Sequence, residues 1–296
     1  MNARARGLWM LVGGLIAAPW VLRTASAETP GREEEVSPED SSSASAPPSA
    51  PEVPSAAPSA AGSAGPLVDG MIRIPGAGFT MGSADPKAPA NERPRHAEVV
   101  ASFWLDRTEV TVERYRTCVE SHGCARPAKS SATCTYDQPD AVVHHLPVSC
   151  VHWREADAFC RAMGKRLPRE AEWELAAKGK RGGRYPWGGG PGCFFAATLV
   201  GDATGRTCTK GPSPVGSHGQ GVSPYGVMDL SGNVEEWTSD WYVENVTSGS
   251  PAAAGASHVL RGGGWLSAPS MSRATSRNWG SSMEAGPNVG FRCARD

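Results

Sequence analysis

The chain of 296 residues has no surplus of either charge: 29 Lys and Arg stand against 30 Asp and Glu, scattered among one another. That leaves no footprint for nucleic acid or for an anionic membrane surface. None of the eight cysteines falls into a C-x2-C pair, which argues against a structural zinc site. EF-hand spacing is missing as well. The apolar run from Leu8 to Leu22 is short for a membrane span and is broken by Gly13, Gly14 and Pro19. Between Glu28 and Pro66 large apolar side chains are almost absent, so the stretch cannot bury enough surface to offset the entropy of ordering. It reads as a disordered Pro/Ala/Ser/Glu-rich linker over 28–66.

What stands before the linker reads as a secretory signal at 1–27. Arg4 and Arg6 form a basic start, the apolar run follows, and Ala25-Ser26-Ala27 offers a cleavage site. An uncleaved anchor is the rival reading; cleavage would leave no membrane span. No cysteine follows the site, which argues against a lipid anchor. All the cysteines, and most of the tryptophans and glycines, lie between Leu67 and Asp296, which predicts one folded domain over 67–296. Cysteines behind a signal predict disulfides and an exported protein, periplasmic or secreted.

Periodicity predicts a β-hairpin over Val68–Met81 with its turn at Gly76 and Gly78, and a strand over His96–Leu105. Thr111 is placed to cap a helix with Val112, Tyr115 and Val119 on one face. Further helices are predicted from Trp153 to Met163, stopping at Gly164, and from Glu170 to Lys178. Cys118, Cys124, Cys134 and Cys150 surround a Pro/Ser/Asp-rich loop, with their pairing open. Cys193 and Cys208 bracket another loop and form a further expected bridge. Strands at Val259–Trp265 and Val289–Cys293 close the chain, so the fold class is α+β with extensive irregular loops.

The densest stretch, Tyr225 to Trp241, sets oxygen donors at Asp229, Ser231, Asn233, Glu235, Glu236 and Asp240 among glycines. Calcium takes six to eight such oxygens from side chains and backbone. A Gly/Asn turn between two core tryptophans, Trp237 and Trp241, is the plainer account. His144, His145 and His152 cluster in sequence but have no carboxylate at a recognisable spacing. Arg273 and Arg277 are placed to clamp an anion, with solvated surface arginines as the plainer account. Ser267 as a nucleophile lacks an identifiable base.

Seven motifs, in order, resemble the formylglycine-generating enzyme, or sulfatase-modifying factor, family: Ile74–Gly82, Leu146–Trp153, Gly164–Glu174, Tyr185–Gly188, Gly232–Trp237, Arg261–Gly263 and Gly290–Cys293. The resemblance implies a calcium-stabilised variant of the C-type lectin fold. It further implies a structural calcium held by the side chains of Asp229 and Glu236 and the carbonyls of Gly232 and Val234, and a Cys160–Cys293 bridge. Family enzymes bind copper(I) through two cysteines, which fall here on Ser267 and Ser272; the serine of the preceding strand falls on Gly264. Hydroxyls do not replace thiolates for copper(I), so copper is not expected. The expectation is a binding or scaffold module for an unidentified protein, peptide or glycan, its ligand face formed by Gly264, Trp265, Arg273 and Arg277. The alternative is an active metal-dependent oxidoreductase of the same family with altered chemistry.

Overall fold

The computed structural model describes residues 67–139, 143–199, 208–244 and 257–296. The expected signal at 1–27 and linker at 28–66 lie outside the described residues. Short strands make three small sheets. In the first, β1 (Leu67–Val68) and β2 (Met71–Ile74) form a hairpin, and β2 pairs antiparallel with β5 (Phe103–Asp106), setting Ile72 opposite Leu105 and Ile74 opposite Phe103. The terminal strand β10 (Ala294–Arg295) lies on the other side of β5. The second sheet is β3 (Ala77–Met81) against β4 (His96–Val100).

Two strand expectations are corrected here. Val68–Met81 is not one hairpin, because β2 and β3 belong to different sheets. Gly76 marks the corner between them: a Cβ there would lie 2.7 Å from the backbone nitrogen of Ser102, so only glycine allows the crossing. His96–Leu105 likewise divides at Ala101-Ser102 into β4 and β5, since the same crossing must be made by the return strands.

Three helices have locally encoded ends. In α1 (Val112–Glu120) the Thr111 hydroxyl accepts the Arg114 N–H at 3.2 Å. In α2 (Trp153–Ala162) Glu155 reaches back to accept the His152 N–H at 2.7 Å. In α3 (Glu170–Lys178) Glu172 does the same for Arg169 at 2.8 Å, and Gly179 ends the helix at φ +64°. α3 is buried along almost its whole length, including Glu170, Glu172 and Glu174. It passes beside the third sheet, ordered β8-β7-β6-β9, in which β6 (Glu235–Trp241) pairs antiparallel with β7 (Ser257–Arg261) and parallel with β9 (Val289–Gly290). Strand β8 (Arg277–Ser281) forms the other edge.

One apolar cluster joins α1, α2, β6 and β9; in it Tyr115 stacks on Phe159 at 5.3 Å and Phe291 meets Phe159 edge-on at 5.4 Å. Burying a phenylalanine contributes about 2–3 kcal/mol, before any ring geometry is counted. A second cluster packs β2, β3 and β5 against Trp173, Leu175 and Leu230. The chain carries four disulfides, Cys118–Cys124, Cys134–Cys150, Cys160–Cys293 and Cys193–Cys208. The third joins α2 to the end of the chain across 133 positions. No helix among the described residues is long and apolar enough to cross a membrane.

Candidate functional site

The stretch after Tyr225 is an irregular turn in which Asp229, Gly232 and Asn233 have positive φ of 59°, 81° and 64°. Asp229 and Asn233 tolerate that region because their short polar side chains bond locally. The Asp229 Oδ2 accepts the Gly216 N–H at 2.6 Å and the Asn233 Oδ1 accepts the Ser213 N–H at 2.9 Å. Gly232 is required for space: a Cβ there would come within 2.3 Å of the Ala197 carbonyl.

Glu236 ends this turn fully buried, and its charge is already answered. Both its oxygens accept from Arg292, Nε to Oε2 and Nη2 to Oε1, each at 2.7 Å, and Oε2 also takes the Trp173 indole N–H at 2.8 Å. Arg292 spends its remaining donors on the carbonyls of Asp106, Arg107 and Met228. Glu236 is therefore not the free carboxylate that a calcium ligand set expects. The unanswered acid is one that sequence reading passed over. Glu109 is completely buried with both carboxylate oxygens lacking a partner. Burial first, then the Asp229 carboxylate, pushes its pKa well above the usual range, although Arg292 opposes the shift. Among the described residues no three His, Cys, Asp or Glu side chains converge in a ready metal site, His144, His145 and His152 included. His152 instead pairs with Glu155 at 3.5 Å at the start of α2.

The segment Arg261-Gly-Gly-Gly-Trp265 owes its glycines to three different neighbours. A Cβ would meet the Trp173 ring at 3.1 Å from Gly262, the Ser272 hydroxyl at 2.6 Å from Gly263, and the Asn288 Oδ1 at 2.2 Å from Gly264. Ser267 Oγ accepts from the Gly264 N–H at 3.0 Å and from the Asn288 amide at 3.3 Å. Ser272 is wholly buried and its hydroxyl has no partner. Neither serine bonds to a base. Every cysteine is in a disulfide, so this region has no thiolate to offer copper(I).

The arginines expected on the ligand face lie elsewhere. Arg277 forks onto Glu170 through Nε at 2.6 Å and Nη2 at 3.0 Å, and Arg273 reaches Glu92 at 2.8 Å; both side chains are buried. Arg261 bonds Glu170 at 3.1 Å and Glu174 at 2.6 Å, and Lys178 meets Glu174 at 2.7 Å. Burial resists the ionisation of Glu174, but Arg261 and Lys178 override it and hold its pKa below the ordinary value. Arg261 and Arg277 fasten α3 to β7 and β8, Arg273 ties the chain after Ser272 to Glu92, and none of these arginines is a solvated surface group. Gly264 is also buried, and of the four expected positions only Trp265 is partly open, its indole bonded to the Pro287 carbonyl at 3.0 Å.

Several large apolar side chains are exposed in the segments on either side of Ser267 and in the loop before Leu199. Phe194 is 71% exposed, Leu199 46%, Leu266 41% and Met271 38%. Leu199 is held there by donating to the Ser267 carbonyl at 3.0 Å. Tyr185, Trp187 and Phe195 stack in succession, and Tyr185 donates to the Pro269 carbonyl at 3.0 Å.

Small sheets, short helices and long loops locked by disulfides define the formylglycine-generating-enzyme-like variant of the C-type lectin fold. The sulfatase-modifying factor enzyme 1-like domain matches residues 57–296, and the chain belongs to that family. It is 32% identical to the formylglycine-generating enzyme of Streptomyces coelicolor, over 77% of this chain and 89% of the relative. The hercynine oxygenase of Mycolicibacterium smegmatis is 31% identical over 76% of this chain, which spans 61% of that relative. The inactive Cα-formylglycine-generating enzyme 2 of Bos taurus is 31% identical over 76% of this chain and 87% of its own length. Among solved structures, PvdO of Pseudomonas aeruginosa superposes with a TM-score of 0.60 at 26% identity, covering 76% of this chain and 94% of PvdO.

Proposed function

We propose that this protein keeps the sulfatase-modifying factor fold without copper oxidase chemistry and acts as a binding module for a protein, peptide or glycan. The observation that carries the reading is the absence of a thiol: serines stand at positions 267 and 272, and all eight cysteines are consumed in bridges. The binding face is the surface beside Ser267, with Trp265, Leu266 and Leu199 in place of the buried arginines. Leu199 and Leu266 are exposed where their two segments meet at the Ser267 carbonyl, and exposed apolar side chains of this kind are what a partner covers. Four disulfides are consistent with an exported protein, periplasmic or secreted, and with the signal expected at 1–27.

A structural calcium belongs to the same proposal. Asp229 and the carbonyls of Gly232 and Val234 supply oxygens, and the unpaired Glu109 supports a cation nearby, because a buried carboxylate without a partner is costly. Glu236 would take part only through lone pairs left over from Arg292.

The test is an aldehyde-trapping assay, read by mass spectrometry, on a sulfatase-type cysteine peptide supplied with copper and oxygen. Wild type and Ser267→Cys/Ser272→Cys run side by side, and no aldehyde is expected from the wild type. Clear product from it would overturn the reading. The likeness to hercynine oxygenase supports a second reading, an oxidoreductase with altered chemistry. Stoichiometric iron or copper in purified protein favours that one; calcium alone favours the module.

A further inference from the structure

Apart from the apolar face, a cleft of about 370 Å³ opens where the end of β3, the last turn of α3 and the chain after Ser272 meet. That volume lies within the range of small-molecule sites, about 300–1,000 Å³. The cleft is lined by Arg95, Lys178, Lys180, Arg181, Arg184 and Arg273, against a single acidic residue, Asp85. The whole chain has a formal charge of −1, yet four of these six cations stand in one stretch, Lys178 to Arg184, and the fold brings Arg95 and Arg273 beside it.

Two of these cations have partners: Lys178 is paired with Glu174 and Arg273 with Glu92. Arg95, Lys180, Arg181 and Arg184 are exposed and have no ion-pair partner among the described residues. Cations after the last turn of a helix complement its dipole, which accounts for Lys178 and Lys180. It does not account for Arg95, which precedes β4, or for Arg184, which follows the Gly182-Gly183 turn. Glycines fix both walls: a Cβ at Gly82 would lie 2.8 Å from the Glu92 carbonyl, and one at Gly183 would lie 2.7 Å from the Tyr185 carbonyl.

We propose that this cleft binds a small ligand carrying a phosphate or sulfate monoester. Guanidinium and ammonium groups converging from separate segments suit a tetrahedral oxyanion, whose several oxygens accept from different directions at once. This inference does not depend on whether the oxidase centre is lost.

Isothermal titration calorimetry of the mature protein in 150 mM NaCl tests it, with glucose 6-phosphate, glucose 6-sulfate and glucose as probes. Saturable binding of at least one ester and none of glucose is expected. The ester that binds identifies the oxyanion; binding of both assigns the site to either. Lys180→Gln/Arg184→Gln should weaken binding at least tenfold with an unchanged melting temperature, as the side chains are exposed. Should that variant fail to fold, Arg95→Gln/Arg181→Gln, on the same cleft, decides. No binding of either ester, binding of glucose as tight as the esters, or undiminished affinity in both folded double variants would overturn the proposal.

Discussion

His258 on β7 lies between two indoles, 3.8 Å from the Trp153 ring and 3.9 Å from the Trp241 ring, and is only 1% exposed. Neither ring nitrogen has a hydrogen-bond partner. Burial lowers its pKa to about 4 from 6.5; the nearby backbone of Asp240, the Asp157 carboxylate and the backbone of Ser239 oppose the shift without cancelling it. The folded pKa is below the unfolded one, so its contribution is present above pH 6.5 and is lost as pH falls toward 4. The unfolded chain takes up the proton first, and each pKa unit is worth ~1.4 kcal/mol, giving roughly 3 kcal/mol across that window. Attraction of an imidazolium to two indole faces works the other way, at about 1–2 kcal/mol for a desolvated contact. Which effect wins is measurable. His258→Phe keeps the stack and removes the proton site, and its urea-unfolding free energy should match or exceed the wild type at pH 7. Between pH 6.5 and 4 the wild type should fall relative to the variant. Comparing the two cancels other acids that titrate there, such as the buried Asp240 and Glu235, whose pKa values are raised mainly by burial. Parallel curves, or a wild type that gains on the variant in acid, would refute the argument from burial.

Three more outcomes follow from the packing. Cys160→Ser/Cys293→Ser opens a bridge spanning 133 positions and should cost about 3–5 kcal/mol in denaturant unfolding, with the unfolded chain the main beneficiary. Glu174→Gln strips one carboxylate from Arg261 and Lys178 and should destabilise by about 3 kcal/mol or more, because it strands buried charge; an effect near zero would mean water reaches the network. Chelation of calcium-loaded protein should lower the melting temperature, the bound ion being worth about 2.7 kcal/mol at a hundredfold excess over Kd. An unchanged melting temperature, with calcium verified as bound beforehand, would remove the ion from the Asp229 turn.

Local signals survived the passage from sequence to structure. α3 runs from Glu170 to Lys178, where the acidic start and Gly179 place it, and α2 begins at Trp153, as its periodicity places it. Pairings that depend on distant segments were not legible. The glycines at 76 and 78 imitate a hairpin turn, yet Gly76 is needed where the chain passes Ser102. Arg273 and Arg277 look like solvated or ligand-binding groups because their acids, Glu92 and Glu170, come from remote parts of the chain. His258 gave no sign at all, since its indole neighbours are 105 and 17 positions before it. Glu109 could have been found as an acid beside Val110 and the cap of α1, but nothing local says that it is left unpaired.

On the proposed reading, in which the serines at 267 and 272 stand where the family's copper ligands stand, they belong to a changed neighbourhood and are not isolated replacements. Where the family pattern has a serine after the second glycine, Gly264 leaves a space that the Asn288 side chain fills, its Oδ1 lying 2.2 Å from where a Cβ would stand. From there the same amide accepts the Leu266 N–H at 2.9 Å and donates to Ser267 Oγ at 3.3 Å. Ser267 is thus held by hydrogen bonds that a thiol makes only weakly, and its neighbour at 264 cannot regain a side chain unless Asn288 moves. Ser267→Cys/Ser272→Cys should accordingly restore sulfur without restoring the serine's hydroxyl. Copper(I) titration of that variant should show binding that the wild type lacks, while aldehyde formation stays absent until Gly264→Ser is combined with Asn288→Ala. Turnover by the double-cysteine variant alone would mean that the packing of Asn288 against Gly264 has no bearing on the chemistry, and that the two hydroxyls were the whole of the difference.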